Sequence, residues 1–510
     1  MSADTRTAFW TWPRIALVLV VLAFTCLGSR ALWDPDEGRY TNVAINMILR
    51  GDWLVPHRSL DVAHWTKPPL AYWSIAAAFV VFGVNTWAAR LTPALSYLAC
   101  AWLASRIARR VAPGYERAAA LVFATMLLPA IASQLVTIDF LLTACETLAM
   151  YAYVELRWGD ARPRWAYLMW GAFGLAFLAK GPPGLLPLLA VVVSEFAQPA
   201  PRRAFRWPAI ALFLVVALSW FACVVMREPR LLAYFLGDEV VSRVASNEFG
   251  RHGEWYGWLV VYAPTIVLGA LPWTIPALRH AARAVRRAPD WKRAAGRTAD
   301  APTILLIAWC VLPLIVFCVA RSRLPLYVLP LTVPLALLAV RDYAARGAAL
   351  PSVPLLVWIV LLVALRIGGS HIASEQDARQ WADAIRARTG APIDRVVFVD
   401  DDPRYGLRLH LGAEVEDVTL QPTPAPDAAP VNPAFDEDAA TELVEENADH
   451  NAVWITRVAH WPDVRDYLHA HGGDAHALGA PFRGRVMFDV TPTPSAPPRR
   501  PNQPPSGKTP

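Results

Sequence analysis

The chain has 510 residues, 55% hydrophobic and only 18% charged, with 22 Trp and a net charge of +6. Soluble domains average about 25% charged residues, so this composition excludes an ordinary soluble domain and disorder over most of the length. The apolar residues come in blocks such as Ile15–Leu27, Leu305–Ala320 and Leu355–Leu365. With their flanks these approach the roughly 20 residues that cross a bilayer.

In chain order, candidate spans lie at 14–32, 91–108, 117–136, 139–156, 165–180, 183–198, 207–226, 256–278, 303–320, 324–340 and 350–368. Leu70–Gly83 is also apolar, but at about 14 residues it is short for a span and suits an interfacial helix. Charge decides between the two. If that segment stays on the surface and the N-terminus is cytoplasmic, one set of loops collects Arg106, Arg109, Arg110 and Arg117, then Arg157, Arg162 and Arg164, then Arg202, Arg203 and Arg206. The same set holds the basic run Arg279–Arg297, and Arg341 with Arg346. If the segment crosses, nearly all of these fall outside. The positive-inside rule selects the first arrangement and explains the basic balance without nucleic acid.

The expectation is an all-α polytopic membrane protein of about eleven transmembrane helices plus interfacial helices, occupying 1–368 with an outward loop at 33–90. The turn Thr137–Asp139, the Lys180 turn, the loop 227–255 and the turn Arg321–Arg323 share that outer face, as does everything after residue 369. Arg14–Leu32 reads as a retained first helix rather than a cleaved signal. Cys26, Cys100, Cys145, Cys223, Cys310 and Cys318 all sit in apolar blocks, which suits packing and not disulfides or metal ligation.

Beyond residue 369 the pattern changes. Ser374–Leu420 reads helix, strand, helix, strand, with an amphipathic Asp377–Arg388 and an apolar run Arg395–Asp400. A Pro/Ala/Asp loop fills 421–438, and Thr441–Val490 repeats the alternation with strands at Ala452–Thr456 and Arg485–Asp489. A small extracytoplasmic α/β domain at 369–490 follows. The Pro-rich tail 491–510 reads as disordered.

The outward segments carry the chemistry. Asp34, Asp36 and Glu37 crowd three carboxylates at the bilayer edge, followed by Arg39 and Tyr40. Pro35 and the acids suit a helix start, so a capped juxtamembrane helix explains them about as well as a site does. Lys67-Pro68-Pro69 puts an ammonium at headgroup level, where it meets a lipid phosphate or merely snorkels beside Trp anchors. Asp139 is an acid at the mouth of an apolar helix pair, and Lys180 a cation before a Gly/Pro turn. Membrane-embedded acids are costly and usually functional, although one at a helix start also caps it. Taken together, outward Lys67, Lys180, Arg243, Arg321 and Arg323 run against the positive-inside bias and call for an anionic partner such as a phosphate.

At this point the residues match a family. Asp36-Glu37-Gly38-Arg39-Tyr40, Lys67-Pro68-Pro69-Leu70, Lys180-Gly181 and Leu324–Pro330 resemble, in order over roughly residues 10–340, the polyprenyl-phosphate-dependent glycosyltransferases of the GT-C class. Within that class the chain is most similar to protein O-mannosyltransferases and lipid A aminoarabinose transferases (glycosyltransferase family 39 like). The resemblance implies a bacterial inner-membrane enzyme that takes a sugar from a polyprenyl-phosphate donor and delivers it, with inversion, to a glycolipid or protein acceptor. It implies Asp36 as general base, and Arg39, Tyr40, Lys67, Lys180, Arg243 and Tyr327 as ligands of the donor phosphate. Glu37 and Asp139 would orient the base or bind sugar hydroxyls. The aminoarabinose transferases carry an acid before the Lys of Lys-Pro, where this chain has Thr66, and a His three residues before the Arg matching Arg243, where it has Val240. Those are the family's candidate metal ligands, so no divalent metal and no other cofactor is expected, and the acceptor stays open. His64 also replaces an aromatic residue. A transporter or flippase for a lipid-linked substrate is the alternative, but it would place polar groups near the midplane and show a repeat, and neither is visible.

Overall fold

The computed structural model describes residues 9–198, 201–237, 253–372, 374–390, 392–424, 429–449 and 451–492. It separates into two compact units. The larger holds residues 1–32, 39–58 and 63–374 and is helical; the smaller holds residues 33–38, 59–62 and everything from Glu375 onward.

The larger unit runs α1 (Trp12–Phe24), α2 (Asp36–Arg50, its first turn lying in the smaller unit), α3 (Leu70–Phe82), α4 (Leu91–Val111), α5 (Glu116–Ala124), α6 (Leu127–Ala132), α7 (Ile138–Trp158) and α8 (Arg164–Lys180). It continues with α9 (Leu188–Ala197), α10 (Trp207–Arg227), α11 (Gly257–Gly269), α12 (Thr274–Arg287), α13 (Ala301–Val319), α14 (Thr332–Arg346) and α15 (Ser352–Gly369). Among the described residues four helices, Trp207–Arg227, Ala301–Val319, Pro325–Arg346 and Ser352–Gly369, are long and apolar enough to cross a membrane. A fifth span exists if the bent pair Gly257–Gly269 and Thr274–Lys292 counts as one. On α10 and α15 the side chains of Trp207, Val215, Val353, Val357 and Val360 stand exposed, an apolar surface suited to lipid and not to water.

Three expected spans differ from the helices found. The first ends at Phe24, where Thr25 turns extended. Arg90, 1% exposed, then holds the following turn by donating to the carbonyls of Leu27, Arg30 and Ala31. The stretch 117–136 is interrupted at Thr125–Met126, where Met126 is extended and Leu127 N–H bonds to Leu271 O instead of to its own helix. The stretch 256–278 bends by 106° between α11 and α12, next to Pro272, which lacks an N–H to continue the ladder.

Charge sits at helix ends. Glu155, its side chain 2% exposed near the end of α7, receives Arg109 and Arg110 of α4 at 2.9 and 2.8 Å. Asp342 of α14 has no exposed side-chain surface and is ringed by Arg279, Arg283 and Arg346. Burying an acid this far is tolerable only because guanidiniums surround it.

The smaller unit holds α16 (Ala378–Thr389), β1 (Arg395–Val399), α17 (Leu407–Leu411), β2 (Glu414–Thr419), β3 (Glu437–Asp438), α18 (Ala439–Asp449), β4 (Ala452–Arg457), α19 (Trp461–Ala470), β5 (Gly473–Ala477) and β6 (Arg485–Pro492). The sheet order is β3-β2-β1-β4-β6-β5. Pairing is parallel from β3 to β4 and antiparallel at β4–β6 and β5–β6. Val396, Phe398, Val453 and Ile455 pack on Trp381 and Ile385 of α16; Val397, Val399 and Trp454 pack on the opposite face with Val464 and Leu468 of α19. Both faces are covered, as parallel strands require.

Candidate active site

Of the three carboxylates before Arg39, two are occupied by the fold. Asp34 is 3% exposed, and its Oδ1 accepts the Gly406 N–H at 2.9 Å. Its own N–H donates to Gln376 O at 3.0 Å. Glu37 is equally buried, and its Oε2 accepts the Trp33 N–H at 2.9 Å. Gly38 is required by this closeness: a Cβ there would lie 1.9 Å from Asp34 Oδ1 and 2.4 Å from Gly406 N. Asp36, opening α2, is the exposed acid of the three.

Arg39 and Tyr40 follow one turn along α2 and are partly buried. Farther on, Val43 and Met47 pack against Tyr72 of α3, with Tyr40 laid over that ring at 5.7 Å between centroids. Asn42 and Asn46, one turn apart, both donate to Arg58 O, at 2.5 and 3.0 Å. One face of α2 therefore fixes the loop and another meets the tyrosines. His64 also packs on Tyr72, at 6.4 Å, and its Nε2 is 2.7 Å from Thr66 Oγ1. Lys67 is partly buried just before α3 and donates to Thr66 O at 2.6 Å.

A second group forms around Lys180. Asp139, on the first turn of α7, pairs with Lys180 at the end of α8, the two side chains 9% and 11% exposed. The same ammonium lies 4.0 Å from the ring centre of Tyr327, which sits on a 3₁₀ turn over Pro325–Leu331. Helices α7 and α8 are antiparallel neighbours, which brings the start of one to the end of the other. Glu146, two turns into α7 and 2% exposed, is an acid the sequence reading passed over. It was detectable as an acid at the centre of an apolar helix.

Asp36 and Glu37 belong to the smaller unit, and Arg39, Tyr40, Lys67, Asp139, Lys180 and Tyr327 to the larger. Arg243 lies outside the described residues, as does most of the tail. Arg323, another of the expected outward cations, is 3% exposed and donates to Glu254 O and Cys318 O.

Among the described residues, one set of three carboxylates converges as metal ligands do: Glu416, Glu437 and Glu442, with oxygens within 4.8 Å of one another. Arg395 stands 3.4 and 3.3 Å from Glu416 and Glu442 and supplies positive charge there itself.

Residues 66–226 match the dolichyl-phosphate-mannose-protein mannosyltransferase family. The fold is similar to the crystal structure of ArnT from Cupriavidus metallidurans bound to undecaprenyl phosphate, with a TM-score of 0.74 at 22% identity over 96% of this chain and 99% of that one. It is also similar to the oligosaccharyltransferase AglB from Archaeoglobus fulgidus, with a TM-score of 0.52 at 12% identity over 96% of this chain and 75% of that one. The chain is thus similar, in sequence over these residues and in fold over nearly its whole length, to polyprenyl-phosphate-dependent sugar transferases, the class that the resemblance named. Within that class it is similar to the undecaprenyl phosphate-alpha-4-amino-4-deoxy-L-arabinose arabinosyl transferases. That of Yersinia enterocolitica is 31% identical over 337 residues, 64% of this chain and 57% of the relative. That of Pseudomonas aeruginosa strain LESB58 is 33% identical, covering 61% and 56%. The matched region therefore spans less than two thirds of these relatives.

Proposed function

We propose that the protein transfers a sugar from a polyprenyl-phosphate donor to an acceptor hydroxyl or phosphate at the outer face of a bacterial inner membrane. The proposal includes about eleven spans with the arginine-rich loops inside, following the charge asymmetry. It places the α/β unit outside.

In the proposed reaction an acceptor oxygen attacks the anomeric carbon, its proton passes to Asp36, and the bond to phosphate breaks in line. One displacement inverts the centre. The leaving prenyl phosphate gains negative charge, so it needs cations and neutral donors more than an acid. Lys67, Arg39 and Arg243 are assigned that role with Tyr40, Tyr327 and Lys180. Glu37 orients the segment that bears the base, and Asp139 sets the position of Lys180 or contacts sugar hydroxyls.

The observation that carries this reading is the division of labour among the three acids. Asp34 and Glu37 are buried and hold backbone N–H groups, while Asp36 is exposed at the start of the helix that also carries Arg39 and Tyr40. The test is Asp36→Asn in a transfer assay with undecaprenyl-phosphate sugar. A general base contributes about 10²–10⁴-fold, so kcat should fall by that much while donor binding persists. Wild-type turnover in this variant would remove Asp36 from the chemistry.

A further inference from the structure

At the other end of the helical unit lies a cavity of about 510 Å³ lined by Val111, His280, Arg283, Arg286, Arg287 and Arg341, among others. We propose that it is a binding site for a phosphate group, separate from the site of sugar transfer. It is lined by α12, α14 and the end of α4, and its His280 lies 3.4 Å from Thr303 Oγ1 at the start of α13. Tyr327 follows the opposite end of α13, a helix of 19 residues, whose length is about 28 Å.

Loop arginines alone follow from membrane orientation, and they need no ligand. The concavity and the charge balance go further. Six guanidiniums on α12 and α14 (Arg279, Arg283, Arg286, Arg287, Arg341 and Arg346) face two paired carboxylates, Asp342 and Asp300. Asp342 takes three of the six and Asp300 takes Arg287. Arg286 is exposed and has no bonded partner among the described residues. Arg341 donates to Val111 O and, through Nε, to His280 Nε2 at 3.4 Å. Because a guanidinium only donates, that imidazole nitrogen accepts and the ring proton sits on Nδ1, a buried donor that finds no acceptor. A walled cavity with excess guanidinium focuses positive potential on one spot. Planar forked donors match phosphate oxygens in particular.

A phosphate could be offered by an anionic lipid headgroup or by a soluble ion, and two arms separate them. The full chain in phosphatidylcholine nanodiscs is titrated calorimetrically with inorganic phosphate. In parallel, chain purified from mixed phosphatidylglycerol and phosphatidylcholine is examined by native mass spectrometry for retained lipid. Saturable phosphate binding marks a soluble anion; selective retention of phosphatidylglycerol marks a headgroup. In either case Arg286→Gln should weaken binding about fivefold, the effect of about 1 kcal/mol per basic side chain near an anionic surface. Arg286→Lys should keep most of it. The absence of saturable binding by wild-type protein in both arms overturns the proposal. So does binding unchanged by Arg286→Gln and Arg341→Gln in variants that melt at the wild-type temperature.

Discussion

Replacing Lys180 by Met removes one member of a pair whose side chains are 11% and 9% exposed, and leaves Asp139 with a buried charge. At an effective dielectric of about 20, unit charges roughly 3 Å apart attract by about 5 kcal/mol, part of which offsets desolvation. Truncating one partner of a buried pair therefore costs about 3–5 kcal/mol. Loss of the contact between the ammonium and Tyr327, at 4.0 Å, adds about 1 kcal/mol. Asp139→Asn should cost a similar 3–5 kcal/mol through the unpaired ammonium. The double variant Asp139→Asn, Lys180→Met should be less destabilised than the sum of the two by at least about 2 kcal/mol, since neither charge is then stranded. Denaturation of the detergent-solubilised chain, followed by tryptophan emission, measures all four corners of the cycle. Strict additivity, or single variants within about 1 kcal/mol of wild type, would refute the reasoning, because a buried pair cannot behave as a surface one.

Three further outcomes are expected. Lys67→Ala should raise the apparent KM for the polyprenyl donor about tenfold or more, the worth of a charge-assisted hydrogen bond of about 1.5–3 kcal/mol. An unchanged KM separates Lys67 from the phosphate. Asp34→Ala should destabilise the smaller unit by about 1–3 kcal/mol by leaving the Gly406 N–H without its acceptor, read as lost hydrogen-exchange protection of that amide; retained protection counts against the bond. The smaller unit should also lose stability as pH rises. Burial, with neighbouring Glu445 and Glu416, pushes Glu437 up from 4.5 to about 7. The folded state then holds a proton that the unfolded state releases, so its stability is fully present below about pH 4.5 and falls as pH rises to about 7. Asp401 opposes this only at lower pH: burial works to raise it, but hydrogen bonds from Arg485 and Arg457 hold it below the usual carboxylate range. Hydrogen exchange in β2 between pH 5 and 8 tests the sign, and protection that grows with pH contradicts it.

The sequence exposed the elements whose pattern is local. Leu91–Val111, Trp207–Arg227 and Ser352–Gly369 announce themselves as apolar helices. Arg395–Val399, Ala452–Arg457 and Arg485–Pro492 read as strands because apolar runs end in turn residues. Interruptions were not visible, since the break after Ala124 depends on a bond to Leu271 that no window of neighbours contains. The acids of Glu414–Thr419 disguise how deeply that strand is buried, which Arg395 across the sheet makes tolerable for Glu416. For the site, residue types and order pointed to Asp36, Lys67 and Lys180. What each does with its neighbours was not legible: Lys180 meets Asp139 across 41 positions, and Asp34 meets Gly406 across 372.

That last separation sets a clock. Ribosomes add roughly 5–20 residues per second, so Asp34 waits roughly 20–75 s between its own synthesis and that of Gly406, 372 positions later. During that interval the short stretch carrying Asp36 lacks one of the bonds that seat it. Any truncation upstream of Gly406 leaves Asp34 Oδ1 without that donor, however complete the helices before it. If the proposed transfer holds, a nascent chain built this way stays inert toward a lipid donor until nearly the whole polypeptide has been made.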